Sequence, residues 1–552
     1  MSYLKRHRTN RVPQSEPLAG QVENSAAGYS WPVDDWTRLR RFLILGSEGG
    51  SYYASERTLT RENAAAVERA VRSDGKRAVA EIVAISREGR AAKNDPALYA
   101  LALAAGVGDE ETRKVALEAL PQVARTGTHL FQFASFVETF RGWGRSLRRA
   151  VGRWYAAQPV DDLTYQVVKY RQREGVSHRD LLRLSHPAQS VSAGNPTLAV
   201  SDEHRRLFEW IVRGGDIAGV PRLVEGFVRA QVAETPKHAA ELVREYGLPR
   251  EALRTEHLTS PEVWEALLED MPMTALVRNL ATMTRVGVLV PGSEGAAHVV
   301  AQLGDGERIR RARLHPIALL AALRTYASGH GARGRATWVP VREIVDALDA
   351  AFYLAFGNVE PVGKRLLLAL DVSGSMAGGW VAGVPGLTPR DASAALALVT
   401  LATEQAVEVV GFYAGGGYVR RGPGRFHGRG DGLTPLMLSP RQRLDDAVRT
   451  VSGLPFGGTD CALPMLYAQA LEREIDTFVI YTDSETWAGD IHPAQALRDY
   501  RRHSGIEARL VVVGMVSNGF SIADPTDPGM LDVVGFDTAT PQLISDFARG
   551  AL

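Results

Sequence analysis

The sequence predicts a chain of mixed class: a long all-helical region stacked in a HEAT-like manner, followed by a Rossmann-like α/β domain. Three observations predict it. Between about 31 and 360, apolar residues recur at three- and four-residue spacing, and short links carry Gly, Asp or Asn-Asp-Pro. From about 361, short apolar runs alternate with helical patterns, as in a parallel sheet covered on both faces. Asp371-Val372-Ser373-Gly374-Ser375 directly follows the apolar run 366–370, and is answered far downstream by Gly457-Gly458-Thr459 and Tyr481-Thr482-Asp483. Segments of this kind converge beyond the carboxyl ends of parallel strands.

Taken in order, residues 1–30 are polar and carry Lys5-Arg6-His7-Arg8, and so read as a flexible basic tail. The domain 31–360 shows helical periodicity over 63–71, 77–85, 96–105, 111–123 and 129–140. Helix pairs with short links and no strands between them predict a stack that curves, or closes into a ring, and offers one long face for binding. In the domain 361–552, strands are expected at 366–370, 407–413, 478–482 and 509–513. Helices are expected at 390–405, 441–452, 462–474, 493–502 and 541–549. The Gly/Arg-rich stretch 415–431 has almost nothing to bury and reads as a loop.

Composition narrows the function. With 64 Lys+Arg against 63 Asp+Glu, the net charge of +1 says nothing by itself about a polyanion partner. The single cysteine, Cys461, rules out an intrachain disulfide framework and a cysteine-rich zinc module. No uninterrupted apolar run of about 18 residues is present, and the basic N-terminus is not followed by an apolar core. A cytoplasmic protein with no membrane partner is expected.

Asp371, Ser373, Ser375, Thr459 and Asp483 form an all-oxygen donor set. It suits a hard divalent cation, Mg²⁺ first and Mn²⁺ or Ca²⁺ as alternatives. Alone, D-V-S-G-S also fits a strand end followed by a helix cap. Three separated elements at strand ends favour the cation. The pattern resembles the metal-ion-dependent adhesion site of von Willebrand factor A domains. In those domains an acidic group on a partner often completes the coordination. Catalysis is not expected. A phosphoaspartyl enzyme needs a second Asp two residues after the first, where Ser373 stands. His492, nine residues after Asp483, reads as a surface or capping residue.

The helical part holds a local excess of charge. Residues 141–190 carry ten Arg/Lys and four acids, a balance of 10 − 4 = +6. Such a concentration is the footprint of a polyanion. Arg141, Arg145, Arg148 and Arg149 have spacings that would share one side of a helix. Trp143, Trp154, Tyr165, Tyr170 and His178 lie among the basic residues, a mixture suited to phosphate contact and base stacking. A solvated helix face with the tryptophans in the core fits the same composition. In Lys169-Tyr170-Arg171-Gln172-Arg173-Glu174-Gly175-Val176-Ser177-His178-Arg179-Asp180, one helix is expected to end near Gly175. Ser177 is expected to cap the next, with Asp180 three residues on.

This last segment, continuing through Leu181-Leu182-Arg183-Leu184-Ser185-His186-Pro187, resembles the signature of the TROVE module. Leu45-Gly46-Ser47-Glu48-Gly49-Gly50-Ser51-Tyr52-Tyr53, Gly142-Trp143-Gly144-Arg145 and Leu314-His315-Pro316 resemble the Ro branch of that family. So do Gly457-Gly458-Thr459-Asp460-Cys461-Ala462-Leu463-Pro464-Met465 and Thr482-Asp483-Ser484-Glu485-Thr486-Trp487. The resemblance covers about residues 31–552. It implies a ring of HEAT-like helices closed by a von Willebrand A domain. It implies a non-enzymatic, monomeric scaffold that binds Y RNAs and other small or defective noncoding RNAs in RNA quality control, maturation and decay. In bacterial relatives the Y RNA tethers an exoribonuclease, polynucleotide phosphorylase. By resemblance, His178 in the Ser-His-Arg-Asp turn contacts the RNA, and Lys169, Arg171, Gln172, Arg173 and Arg179 surround it. The competing expectation is a metal-dependent protein-interaction module whose main partner is a protein acidic group.

Overall fold

The computed structural model describes residues 11–47, 56–173, 175–187, 200–215, 218–331, 335–356, 361–381, 384–414, 432–454, 457–537 and 539–550. The basic cluster at residues 5–8, the motif residues 48–53, Glu174 and the loop 415–431 lie outside them.

Between Asp35 and Leu354 the chain is a succession of α-helices. Local chemistry sets their starts. Asp34, Asp74, Asp109, Thr126, Ser201, Thr235 and Ser293 each accept a backbone N–H from the first turn that follows. Each thereby satisfies a donor that the helix leaves unpaired. The helix expected over 111–123 is two, Glu110–Glu118 and Leu120–Val123. Pro121 has no N–H with which to continue the first ladder. The expectation of no strands in this region also fails. The helix Val160–Lys169 stops at Lys169, short of Gly175. The chain then forms a two-residue antiparallel hairpin that turns at Gly175 (φ 80°). Ser177 does cap the helix His178–Ser185, in a reciprocal capping box with Asp180.

Strands β1 (Val22–Glu23) and β2 (Tyr29–Pro32) precede the helices, and β3 (Gln172–Arg173) and β4 (Val176–Ser177) make the hairpin. The C-terminal domain contains β5 (Leu366–Asp371), β6 (Val407–Phe412), β7 (Leu433–Pro435), β8 (Thr477–Thr482), β9 (Arg509–Gly514), β10 (Phe520–Ser521) and β11 (Met530–Val534). Its sheet has the order β11-β9-β8-β5-β6-β7, parallel except for the edge strand β7. The four expected strands are its centre, and β7 and β11 are the two it adds. Every residue of β5 and β8 is buried, as a sheet covered on both faces requires. Alternate residues point to different cores. Leu366, Leu368, Leu370, Val479 and Tyr481 join an apolar core continuous with that of the helices. Leu367, Ala369, Phe478 and Ile480 join a second core under the helices Leu463–Ala470 and Pro493–Ser504. The former helix ends four residues earlier than expected, and Glu472 just beyond it has φ 51°.

Residues 11–30, expected as flexible tail, are instead a strap across the α/β domain. Trp31 enters the second core, and β2 pairs antiparallel with β10. The Gln14 side chain is fully buried. Its Nε2 donates to Asp460 Oδ1 (2.8 Å) and the Ile491 carbonyl (2.9 Å). His492, read as a surface or capping residue, stands at the N-cap of the helix Pro493–Ser504 and is buried. Its ring meets the Glu16 carbonyl at 2.7 Å and Gln21 at 3.3 Å.

Both ends of the helical stack dock on the α/β domain. At the first end, Arg41 on the helix Asp35–Leu45 pairs with Asp532 of β11 at 2.7 Å, and Arg90 pairs with Asp537 at 3.3 Å. At the last end, Arg324 pairs with Asp391 and donates to the Gly386 carbonyl at 2.7 Å. Asp349 accepts from Leu444 N at 2.8 Å. The two ends also meet: Arg313 donates to the Arg87 carbonyl (2.7 Å), and His315 contacts the Arg90 carbonyl (3.0 Å). The helices thus form a ring closed by the α/β domain. No helix among the described residues is long and apolar enough to cross a membrane.

Gln14→Ala deprives buried Asp460 of a donor in a site with no water access. We expect a loss of about 1–3 kcal/mol in stability, read as a lower midpoint in urea unfolding. An unchanged midpoint would show that the strap is not anchored there.

Candidate nucleic-acid interface and cation site

The basic residues of 141–183 are spread over several successive elements. Arg141 is the C-cap of the helix Gly127–Phe140. Arg145, Arg148 and Arg149 lie on the helix Arg145–Ala156, so Arg141 does not share their helix as its spacing suggested. Arg171, Gln172 and Arg173 lie on or beside the β3–β4 hairpin, where a basic helix was expected. Arg179 and Arg183 lie on the helix His178–Ser185. Every one of these basic side chains is exposed. The helix Arg145–Ala156 stays amphipathic because Leu147, Val151, Trp154 and Tyr155 fill its buried face. Trp154 is anchored by its Nε1, which donates to the Ala124 carbonyl at 2.6 Å.

Acidic partners are scarce on this face among the described residues. Several exposed arginines elsewhere are answered within a turn or across a groove: Arg72 by Glu68, Arg205 by Asp202, Arg213 by Glu209, Arg229 by Glu225, Arg244 by Glu269. Among the described residues, Arg141, Arg145, Arg148, Arg149, Arg179 and Arg183 form no such pair. The guanidinium of Arg171 lies 4.7 Å from the Phe227 ring, which orients it without neutralising it. Lys169 is half-buried, its ammonium 5.1 and 5.4 Å from the rings of Tyr165 and Tyr170. Trp143, Tyr165 and Tyr170 are partly exposed, whereas Trp154 is core.

His178 is not on this surface. It is 2 % exposed, with Nδ1 2.8 Å from the Tyr155 hydroxyl and its ring 4.7 Å from that of Phe131. Gly127 makes the room: a Cβ there would stand 2.8 Å from His178 Nε2. Burial pushes the imidazole down to about 4, so it is neutral at physiological pH and cannot offer a charge to phosphate. The expected direct RNA contact is therefore replaced by a structural one. His178 fixes the start of the helix that carries Arg179 and Arg183.

Several of the residues named as cation donors are tied together at the ends of β5 and β8. Asp371 ends β5 and Thr482 ends β8, its neighbour in the sheet, and Thr482 Oγ1 donates to Asp371 Oδ2 at 2.6 Å. Ser373 N donates to Asp371 Oδ1 at 2.9 Å, and the hydroxyls of Ser373 and Ser375 are 3.0 Å apart. The Gly457–Thr459 segment is brought in by Gly374 N donating to the Gly457 carbonyl (3.2 Å). Asp371, Ser373, Ser375, Thr459 and Asp483 are all buried. Burial raises the Asp371 carboxyl. Burial, then the charges of Asp371 and Glu485, raise Asp483 well above the carboxylate range. Arg390 lies behind the loop, donating to the Val372 and Ser373 carbonyls at 2.7 and 3.0 Å, and its charge offsets only part of the burial effect on Asp371. Two buried like charges ringed by hydroxyl oxygens are a donor set that fits a hard cation. Sequence reasoning missed Arg390, Glu485, Asn518 and Gln14 around this site. Glu485 alone had a signal, inside the Thr482–Trp487 motif.

A helical ring closed by a von Willebrand A domain, with a basic face on the ring, defines the class of protein to which the comparisons point. Residues 22–212 and 247–325 match the TROVE domain, and residues 365–548 match the Ro60 vWA domain. The chain belongs to the Ro family. It is 43 % identical over 541 residues to the RNA-binding protein RO60 of Deinococcus radiodurans, covering 98 % of this chain and 97 % of that protein. It is 37 % identical over 615 residues to the RNA-binding protein RO60 of Caenorhabditis elegans, covering 98 % and 92 %. The crystal structure of the Deinococcus radiodurans RO (RSR) protein superposes with a TM-score of 0.69 at 42 % identity, covering 94 % of this chain and all of that one.

The burial of His178 has a consequence for pH. Its folded pKa is depressed from about 6.5 to about 4, so its contribution to stability is complete above 6.5 and is lost as pH falls toward 4. The loss is about 3 kcal/mol. Urea unfolding of the parent and of His178→Gln across pH 7 to 4 should show the parent losing more stability by that margin. Parallel pH profiles would place the imidazole in solvent.

Proposed function

We propose that this protein is a non-catalytic RNA-binding scaffold. Its exposed face of Arg141, Arg145, Arg148, Arg149, Arg171, Gln172, Arg173 and Arg179 binds small structured noncoding RNAs of the Y RNA type, in RNA quality control, maturation and decay. The observation that carries this is the concentration of exposed guanidinium groups on one stretch of the ring, of which Arg141, Arg145, Arg148, Arg149 and Arg179 form no ion pair among the described residues. Exposed arginines on a folded frame match phosphates bidentately, and each phosphate neutralised releases counterions. Trp143, Tyr165 and Tyr170, partly exposed between them, suit stacking with unpaired bases at a loop or bulge. The names of the relatives, both RNA-binding proteins, support the same substance of partner.

The α/β domain adds a second docking point. Asp371, Ser373, Ser375, Thr459 and Asp483 would hold a divalent cation, Mg²⁺ best, and such an ion supplies an open position for an acidic group on a protein partner. An RNA-processing nuclease such as polynucleotide phosphorylase, tethered through the RNA, is the kind of assembly that this pairing of surfaces serves. No described constellation offers a nucleophile beside a base.

The test is affinity for a hairpin-forming small RNA against salt. For a parent making six phosphate contacts, log K should fall against log[KCl] with a slope of about −5. Arg171→Glu with Arg173→Glu should weaken binding to all such RNAs at least tenfold and lessen the slope by about 2. Affinity unchanged by the substitutions and by salt would contradict the proposal.

A further inference from the structure

The loop that follows β8 is held in a conformation it does not favour by Asn518 and by groups from outside the α/β domain. Ser484, next to Asp483, is a non-glycine residue with φ 62°. Such a residue persists only where its surroundings over-determine it, and such positions cluster at functional sites. Asn518 Nδ2 donates to the Asp483 carbonyl at 2.6 Å and to Glu485 Oε1 at 3.1 Å. Asn518 accepts in turn from Arg41 Nη1, through its carbonyl at 3.1 Å and its Oδ1 at 3.0 Å. Arg41 belongs to the first helix of the ring. Its guanidinium is fully buried, and its Nη2 is held by both oxygens of Asp532 at 2.7 and 2.8 Å. The N-terminal strap reaches the same loop. Ser30 Oγ donates to the Ser484 carbonyl at 2.8 Å, and Asn24 Nδ2 to the Thr486 carbonyl at 2.8 Å.

We propose that Arg41, Asn518 and Ser30 are positioning residues for the cation site, so that the site is built by the whole ring and not by the α/β domain alone. This rests on the cation reading above. Asp371 and Asp483 repel one another in a buried space, and the loop carrying Asp483 relaxes away unless it is restrained. The restraint is a relay of hydrogen bonds from the first helix and from the strap. Ligand oxygens must be held to within about 0.5 Å for an ion to be bound well, and only a locked supporting shell achieves that. The relay also joins two events. Loosening the seam between the first helix and β11 releases Asn518, and by reciprocity an ion bound at Asp483 tightens that seam.

The experiment uses the full chain, with Mn²⁺ binding followed by electron paramagnetic resonance and amide hydrogen exchange followed by mass spectrometry. The parent should bind Mn²⁺, and Asp371→Ala should not. Asn518→Leu breaks the relay and leaves the Arg41–Asp532 pair in place. It should weaken Mn²⁺ binding at least tenfold and speed exchange at amides 484–487 even with no divalent ion present. Ser30→Ala, a smaller change that serves if Asn518→Leu does not fold, should move both readouts the same way by about threefold. Added Mn²⁺ should slow exchange at amides 517–521 in the parent. If the parent binds Mn²⁺ and these variants bind it equally well, the positioning role is overturned and the cation reading stands. If the parent binds none, both fall.

Discussion

Arg41 is a guanidinium without access to water, and the closure of the molecule depends on how it is answered. An unpaired buried charge costs several kcal/mol, so Arg41 is tolerated only with Asp532 and the Asn518 and Phe520 carbonyls around it. This fixes the first helix against the edge strand of the sheet. The last helices are fixed to the other side by Arg324 and Asp391. With both ends tied to one domain, the stack between them has to bend round until Arg313 and His315 reach the carbonyls of Arg87 and Arg90. The apolar core then runs without a break from the helices into one face of the sheet.

Charge is used in two ways in this chain, and burial separates them. Where the protein holds itself together, cations and anions are paired and shielded: Arg41 with Asp532, Arg90 with Asp537, Arg324 with Asp391. Elsewhere charge is less fully answered. On the face around Arg141–Arg183, Arg141, Arg145, Arg148, Arg149, Arg179 and Arg183 form no ion pair among the described residues. Asp371 and Asp483 lie buried among hydroxyl oxygens. Exposed surface pairs on the remaining helices contribute about 0–1 kcal/mol each, so a face that forgoes them loses little stability and gains a field that attracts phosphate.

Much of this was legible in the residues, and the exceptions share a cause. Helix periodicity and strand-end loops are written in neighbouring residues, so the helical stack, the four central strands and the strand-end motifs of Asp371 and Asp483 could be located. The Ser177–Asp180 cap was local too. His178 was placed on the surface because its sequence neighbours are charged. Its burial is decided by Gly127, Phe131 and Tyr155, which come from other helices. Residues 11–30 looked like a tail because their partners, Asp460 and Ser484 to Ile491, lie more than 440 positions away. Lys169–Arg173 carries helix-forming side chains, but the turn at Gly175 and the β3–β4 pairing prevail over propensity. Arg390 and Asn518 carry no motif and act only through the fold.

The molecule is a ring that displays a basic face and, next to its seam, a set of buried oxygen donors. Binding of RNA on the basic face is the central proposal. The most direct measurement is ultraviolet crosslinking of the full protein to a hairpin-forming RNA, with the crosslinked peptides identified by mass spectrometry. The account predicts crosslinks at Trp143, Tyr165 or Tyr170 and in peptides spanning 141–183. Crosslinks confined to helices whose arginines are paired, such as Asp202–Arg213 and Pro236–Tyr246, would contradict it.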